Sequence, residues 1–342
     1  MMLRDLQLRN FRCFESFAAE FAPGFNFIVG PNGRGKTTIL EAACVLLRLQ
    51  SQRAPNLTPT VRAGRRSFVL SGHVEGHLLQ FYYSALRRKL AFDGVEQREP
   101  SEYLRLARVV SFANHDLDLV RGPAEMRRRY LDFIGLQVDA RYRPALRAYE
   151  RALRSRNALL KSDAPRPREL EAYTEPLTRA GTILREMRAA LVRQLLPNAE
   201  ASQRAISGHG ETLLLEYAPG NEEDFAAHLR RTRADEERLR LTTVGPHRDD
   251  LRLQVEGMSA AQFASEGEQR TIALALKLAQ ARIFAEEAGA GPLLLIDDIF
   301  GELDPARRNA LLAHLPNDSQ KLVTATALDW RTGKWEEALL KL

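Results

Sequence analysis

In the first third of the chain apolar and polar positions alternate, the period-two pattern of half-buried strands. Residues 3–21, LRDLQLRNFRCFESFAAEF, predict two strands joined near Asn10 to Phe14. RSFVLSGHVEG (66–76) and HLLQFYYSAL (77–86) predict an antiparallel pair, and RKLAFDGVEQ (88–97) a further hairpin turning at Asp93-Gly94. ARVVSFAN (107–114) predicts another strand. Near the C-terminus the alternation gives way to four consecutive apolar residues, Leu293 to Ile296, as in a strand buried on both faces of a mainly parallel sheet.

Between these stretches the period lengthens to that of a helix. Leu146, Tyr149, Leu153 and Leu160 recur at helical spacing in 141–161, as do Leu177, Ile183, Leu184, Met187 and Leu191 in 177–196. SDAPRPRE (162–169) marks the connection of an αα-hairpin. The pattern predicts an α/β head from 1–115 and 236–342, interrupted by a mainly helical lobe at 116–235.

Residues 30–37 read GPNGRGKT, a complete G-x-x-x-x-G-K-T phosphate loop between a strand-like run, Phe25 to Val29, and a helix-like run from Lys36. Gly30, Gly33 and Gly35 allow the tight backbone that turns N–H groups toward phosphate oxygens, with Pro31, Asn32 and Arg34 completing the loop. Lys36 is expected to neutralise the β and γ phosphates, and Thr37 to offer a hydroxyl to Mg²⁺. Thr38 follows at the helix start, whose dipole favours an anion. Nucleoside triphosphate binding is therefore expected. The acidic pair after the apolar strand supplies the complement: Asp297 to hold Mg²⁺ beside Thr37, and Asp298 to orient and activate water as general base.

Charge adds a second partner. The chain is +6 with a pI near 9.5, although 43 of its 50 basic residues are Arg, a bias that codon usage alone can produce. The distribution says more: residues 121–193 hold 17 basic against 9 acidic side chains, a local net of +8. The helical lobe is thus expected to meet a polyanion such as the DNA backbone. Cys13 and Cys44 are too few for a disulfide framework, and with no leader-like start or membrane-length apolar run the expected location is the cytoplasm, with no membrane partner.

Upstream of the acidic strand, FASEGEQRTIALALKLAQARIF (263–284) places Ser265, Gly267 and Gln269 in an S-x-G-x-Q pattern at the start of a long apolar helix. With the acidic strand about 30 residues later and GELDP (301–305) beyond it, the pattern resembles the signature and D-loop of the ABC ATPases. The opening segment through the phosphate loop, DLDLVRGPAEMRRRYLD (116–132), TTVGPHRDDL (242–251), SEGEQRTIALALKLA (265–279) and LLLIDDIFGELD together resemble the RecF family of bacterial DNA repair proteins.

That resemblance implies an ABC-type P-loop ATPase head of mixed sheets plus helices, with an inserted helical lobe. It implies an ATP- and Mg²⁺-dependent homodimer in which Ser265, Gly267 and Gln269 of one copy cover the ATP held by another, with Asp304 at the interface. It further implies binding to duplex DNA and single-strand gap junctions, cooperation with RecR and RecO, and support of RecA loading. In VGPHRDD, His247 is read as structural and Arg248 as lying near phosphate or DNA. Three departures from the wider ABC pattern predict slow hydrolysis: Thr324 or Thr326 stands where many members carry a switch His, Asn114 or Asp116 where they carry Gln, and Asp298 where they carry Glu. The competing reading, a nucleotide-binding subunit of an ABC membrane transporter, shares the motifs but leaves the basic lobe unexplained.

Overall fold

A computed structural model describes residues 1–54, 56–162, 167–208, 211–330 and 337–342. The chain divides into two compact units, Met1–Asp116 with Lys277–Leu342, and Leu117–Leu276. The second unit therefore includes residues 236–276, which the sequence pattern grouped with the head. The reason is strand pairing: Asp250–Val255 pairs antiparallel along its whole length with Leu213–Ala218.

The first unit contains two sheets. One is six-stranded and antiparallel, in the order Phe14–Glu20, Asp5–Phe11, Ser67–Val74, His77–Ser84, Arg88–Phe92, Val95–Gln97. The alternating segments thus form the expected hairpins, including the turn at Asp93-Gly94. The other is five-stranded and parallel, in the order Glu337–Lys341, Phe25–Val29, Lys321–Ala325, Leu293–Asp297, Val109–Ala113. Leu293–Asp297 is interior to this sheet, and Leu293, Leu294, Leu295 and Ile296 are all buried, as a continuous apolar run requires. Helix Lys36–Arg48 touches strands of both sheets. It is buried from Thr38 to Arg48 because an apolar surface covers it on both sides.

The second unit is built on helices Ala124–Val138, Tyr142–Leu160 and the 41-residue Pro167–Ser207, with the three-stranded sheet Met258–Ser259, Asp250–Val255, Leu213–Ala218. Tyr142–Leu160 and Pro167–Ser207 pack together as the expected helical pair; residues 163–166 of the predicted connection lie outside the described residues. Tyr149, Leu177 and Leu184 enter a shared core with Phe225, against which Leu146, Leu153 and Met187 pack; Ile183, expected on the same face, is exposed. Gly181 is required there, since a Cβ would stand 2.6 Å from the Phe225 ring.

Polar side chains complete this core. Arg188 donates to both Asp132 oxygens at 2.7 and 3.0 Å, to Asp249 at 2.8 Å and to the Pro246 carbonyl at 2.7 Å. Arg156 reaches Glu236 at 2.6 Å and Thr242 at 2.8 Å. His247 Nε2 lies 2.9 Å from the Thr242 carbonyl and its Nδ1 2.6 Å from the Tyr149 hydroxyl, which gives the structural role expected of it. Among the described residues no helix is long and apolar enough to cross a membrane.

Candidate functional site

Strand Phe25–Val29 ends at Gly30, and the chain turns through an exposed loop, Pro31, Asn32, Gly33 and Arg34, into helix Lys36–Arg48. Gly35 holds the corner in the left-handed region at φ 95°, and a Cβ there would stand 2.6 Å from the Phe14 ring and 3.0 Å from Cys13 Sγ. Only glycine meets both demands. Lys36 is 6% exposed, and its Nζ donates to the carbonyls of Gly30 and Pro31 at 2.6 and 3.1 Å and to Asn32 Oδ1 at 3.4 Å. Beside the loop lies a cleft of about 640 Å³, whose lining includes Asn32, Gly33, Gly35, Lys36, Thr37 and Thr38 with Asp297 and Asp298.

The acidic strand meets the loop directly. Thr37 Oγ1 donates to Asp297 Oδ1 at 2.8 Å, and Thr324 Oγ1 donates to the same oxygen at 2.8 Å. Parallel register explains the second contact, because Thr324 is the cross-strand partner of Asp297. Thr324 is 1% exposed and also accepts from the Asp298 N–H at 3.0 Å, so it braces the acidic pair; Thr326 is exposed and its backbone N–H reaches the Asp298 carboxylate. Asp298 sits at φ 52°, in the left-handed region. Burial raises its pKa above the usual carboxylate range; the Lys36 ammonium opposes the shift, while the Asp297 and Glu302 carboxylates add to it.

The cleft is also lined by Arg12, Cys13, Arg53, Pro59, Val61 and Ala63, none of which sequence reasoning named as a site residue. Arg12 forks onto the buried Glu41 carboxylate at 2.6 and 2.9 Å and reaches the Pro59 carbonyl at 2.9 Å, with Ser51 Oγ donating to Glu41 at 2.6 Å. The signal was present in Glu41, a carboxylate on a helix otherwise buried in apolar surroundings, which demands a cationic partner.

The two candidates for the loop after strand Val109–Ala113 have separate roles. Asp116 accepts from the Ala113 N–H at 2.7 Å and pairs with Lys277 at 2.9 Å, which commits it to a buried structural bond. Asn114 donates to Glu302, beside Asp298 in the segment leading to Asp304. Asp304 is exposed and caps helix Pro305–His314, accepting from the Arg307 N–H at 2.9 Å and pairing with the Arg307 guanidinium at 2.9 Å. These contacts hold its pKa below the usual range.

Ser265, Gly267 and Gln269 belong to the second unit, whose boundary with the first falls inside helix Glu266–Ala288. Ser265 is exposed and forms a capping box: its N–H donates to Glu268 Oε2 at 2.6 Å and its Oγ accepts from the Glu268 N–H at 3.3 Å. Gln269 donates to the Ala264 carbonyl at 3.0 Å, fixing the turn before the helix, and exposed Phe263 immediately precedes it. Arg248 is likewise exposed in the second unit.

A family model described as the RecF/RecN/SMC N-terminal domain matches residues 2–332. The DNA replication and repair protein RecF of Symbiobacterium thermophilum is 36% identical over 348 residues, spanning 96% of this chain and 92% of that protein. Its counterpart in Synechococcus sp. is 35% identical over 359 residues, spanning 99% and 94%. The chain belongs to the RecF family. Among solved structures, this RecF-family chain is similar to the recombination mediator protein RecF-ATPrS of the RecFOR pathway, with a TM-score of 0.89 at 26% identity over 100% of this chain and 96% of that one. The head domain of Smc from Pyrococcus furiosus, bound to a domain of ScpA, shares the fold at a TM-score of 0.53 and 17% identity, over 95% and 89% of the two chains. Membership in the RecF family decides against the transporter-subunit reading.

Proposed function

We propose that this chain is an ATP-switched DNA-binding protein of recombinational repair, in which ATP joins two copies on DNA and slow hydrolysis releases them. The observation that carries the reading is the junction of phosphate loop and acidic strand, Thr37 Oγ1 to Asp297 Oδ1 at 2.8 Å, with Lys36 and Asp298 facing the same cleft. ATP enters with its phosphates against Gly30, Gly33, Gly35 and Thr38, and Lys36 exchanges its bonds to the loop carbonyls for phosphate oxygens. Thr37 and Asp297 suit Mg²⁺: both offer hard oxygen donors, and among the described residues no cluster of three or more His, Cys, Asp and Glu is placed to hold a metal unaided, so phosphates complete the shell. Bound there, the ion would neutralise phosphate charge.

Ser265 and the helix start behind it cover the γ-phosphate of a second copy. That phosphate is the differential contact between separate and joined chains, so its loss on hydrolysis frees them. Asp298 orients the attacking water. No side chain that titrates near neutrality stands at the switch position, and a turnover below about 10 per second is expected, under the median for enzymes. In the cytoplasm the DNA-bound dimer marks single-strand gaps and, with RecO and RecR, supports loading of RecA.

The test is light scattering with a non-hydrolysable ATP analogue. Wild type forms a dimer, while Lys36→Met and Ser265→Arg alone stay monomeric. Mixed, they form a dimer, because one of the two composite sites then has an intact loop and an intact signature. A wild-type chain that remains monomeric, or a mixture no better than either variant, overturns the reading.

A further inference from the structure

Much of the positive charge in the second unit is already engaged. Arg156 and Arg188 are buried against carboxylates. Arg129, Arg141 and Arg154 pair with Glu125, Asp139 and Glu150. Helix Tyr142–Leu160 nevertheless carries three arginines, Arg143, Arg147 and Arg151, that make no hydrogen bond or ion pair with a described residue. They recur every fourth position, so they share one helix face and are separated by about 6 Å along its axis.

The local electrostatics are repulsive. Glu150 is the single carboxylate on this helix, and it sits 3.8 Å from Arg154, although the field of Arg147 also reaches it. Burial and the neighbouring Arg147 charge both lower the proton affinity of Arg143. A like-charge pair four residues apart weakens the isolated helix. Such an arrangement is relieved by an anion that spans several positions.

We propose that Arg143, Arg147 and Arg151 form a ladder that grips the phosphate backbone of duplex DNA along one strand. The inference rests on the DNA-binding function proposed above and names the side chains that carry it. Each guanidinium presents a planar fork suited to paired phosphate oxygens. Phosphates advance about 3.4 Å along the axis per strand, so a row of three long side chains at about 6 Å intervals reaches several of them without remodelling the helix. The contacts go to the backbone and are indifferent to base sequence.

The test is fluorescence anisotropy of labelled duplex DNA with the full chain and a non-hydrolysable ATP analogue, across a salt series. The ladder variant Arg143→Gln, Arg147→Gln, Arg151→Gln is compared with the charge-matched control Arg129→Gln, Arg141→Gln, Arg154→Gln. The ladder variant loses tenfold or more in affinity, and its slope of log affinity against log salt flattens by close to one per residue, about 2.7 in all. The control keeps most of the wild-type slope, and Lys at the three ladder positions restores it. Arg147→Gln alone, flattening the slope by about one, serves as the check in a minimally altered fold.

If wild type binds DNA but the ladder variant keeps the wild-type slope, or the control loses as much, the ladder is wrong and the DNA-binding function stands. If wild type binds no duplex in any nucleotide state, both fall. A ladder variant that binds DNA normally but fails to bind an acidic peptide retained by wild type also overturns it, in favour of a protein partner.

Discussion

In the first unit the charged groups Lys36, Asp297 and Asp298 face a cleft, where Lys36 is held by its own loop and Asp297 by two threonine hydroxyls. In the second, Arg156 and Arg188 have side chains only 1% and 3% exposed and end on carboxylates of the same unit. The apolar sheets of the first unit, such as the fully buried run Leu293 to Ile296, carry its fold, and these charges line a cleft beside them. The amphipathic helices of the second unit leave a polar interior. There Arg188 ties helices Ala124–Val138 and Pro167–Ser207 to the segment holding Pro246 and Asp249. Cations set against carboxylates are thus architectural in the second unit, as Arg12 with Glu41 and Lys277 with Asp116 are in the first, whereas Lys36 is bonded to its own loop and lines a cleft.

The sharpest way to break this contrast is to remove one cation from each unit. Arg188→Met strands the Asp132 and Asp249 carboxylates in the interior and is expected to cost about 3–5 kcal/mol of unfolding free energy. Lys36→Met leaves only loop carbonyls beside an open cleft, which water can reach, and is expected to cost less than about 1.5 kcal/mol while abolishing nucleotide binding. Urea denaturation of both variants decides the matter. Equal losses would show that the phosphate-loop lysine is as architectural as Arg188.

The second largest effect comes from His247. A carbonyl can only accept, so His247 Nε2 carries the proton donated to Thr242, and in the neutral ring Nδ1 accepts from the Tyr149 hydroxyl. Burial, partly countered by the bond to the Thr242 carbonyl, depresses its pKa to about 4 from 6.5. Between these values the unfolded chain binds a proton that the folded chain refuses. The stabilisation is therefore complete above pH 6.5 and is lost as pH falls toward 4, an effect of about 3 kcal/mol. His247→Gln should flatten the dependence of unfolding free energy on pH in that window. A wild-type curve parallel to the variant's would mean that the imidazole takes up its proton in the folded state without cost.

Legibility in the sequence follows the same division. The phosphate loop, the acidic strand and the capping signature are contiguous words, and strand periodicity located the hairpins because each of those sheets has one face against a core. Thr324 could be named as a candidate, but its bond to Asp297 depends on the register of two parallel strands 27 residues apart, which no local pattern encodes. Glu41 called for a cationic partner without saying which: Arg12 sits at φ 51° in the turn between two strands and meets Glu41 only after the helix has packed. The basic excess was legible as a number but not as a surface, since the sequence cannot separate Arg156 and Arg188, spent inside, from Arg143, Arg147 and Arg151. Strand Asp250–Val255 belongs with the second unit because its partner Leu213–Ala218 lies there, a non-local pairing.

Asp304 gives the smallest effect and the finest cut through the comparison, because it lies in the first unit but is satisfied in the manner of the second. Its carboxylate caps helix Pro305–His314 through the Arg307 N–H at 2.9 Å. Asp304→Ala should lower stability by about 1 kcal/mol, and Asp304→Asn, which can still cap, by only a few tenths. The two variants separate architecture from interface when dimer formation with the ATP analogue is measured beside thermal unfolding. If Asp304 also meets the partner copy, Asp304→Asn keeps its stability but loses the dimer, since the cap needs an oxygen acceptor and the interface a negative charge. A stable Asp304→Asn protein with an intact dimer would assign this aspartate to architecture alone. The ligand-directed groups of the first unit would then narrow to those lining the cleft.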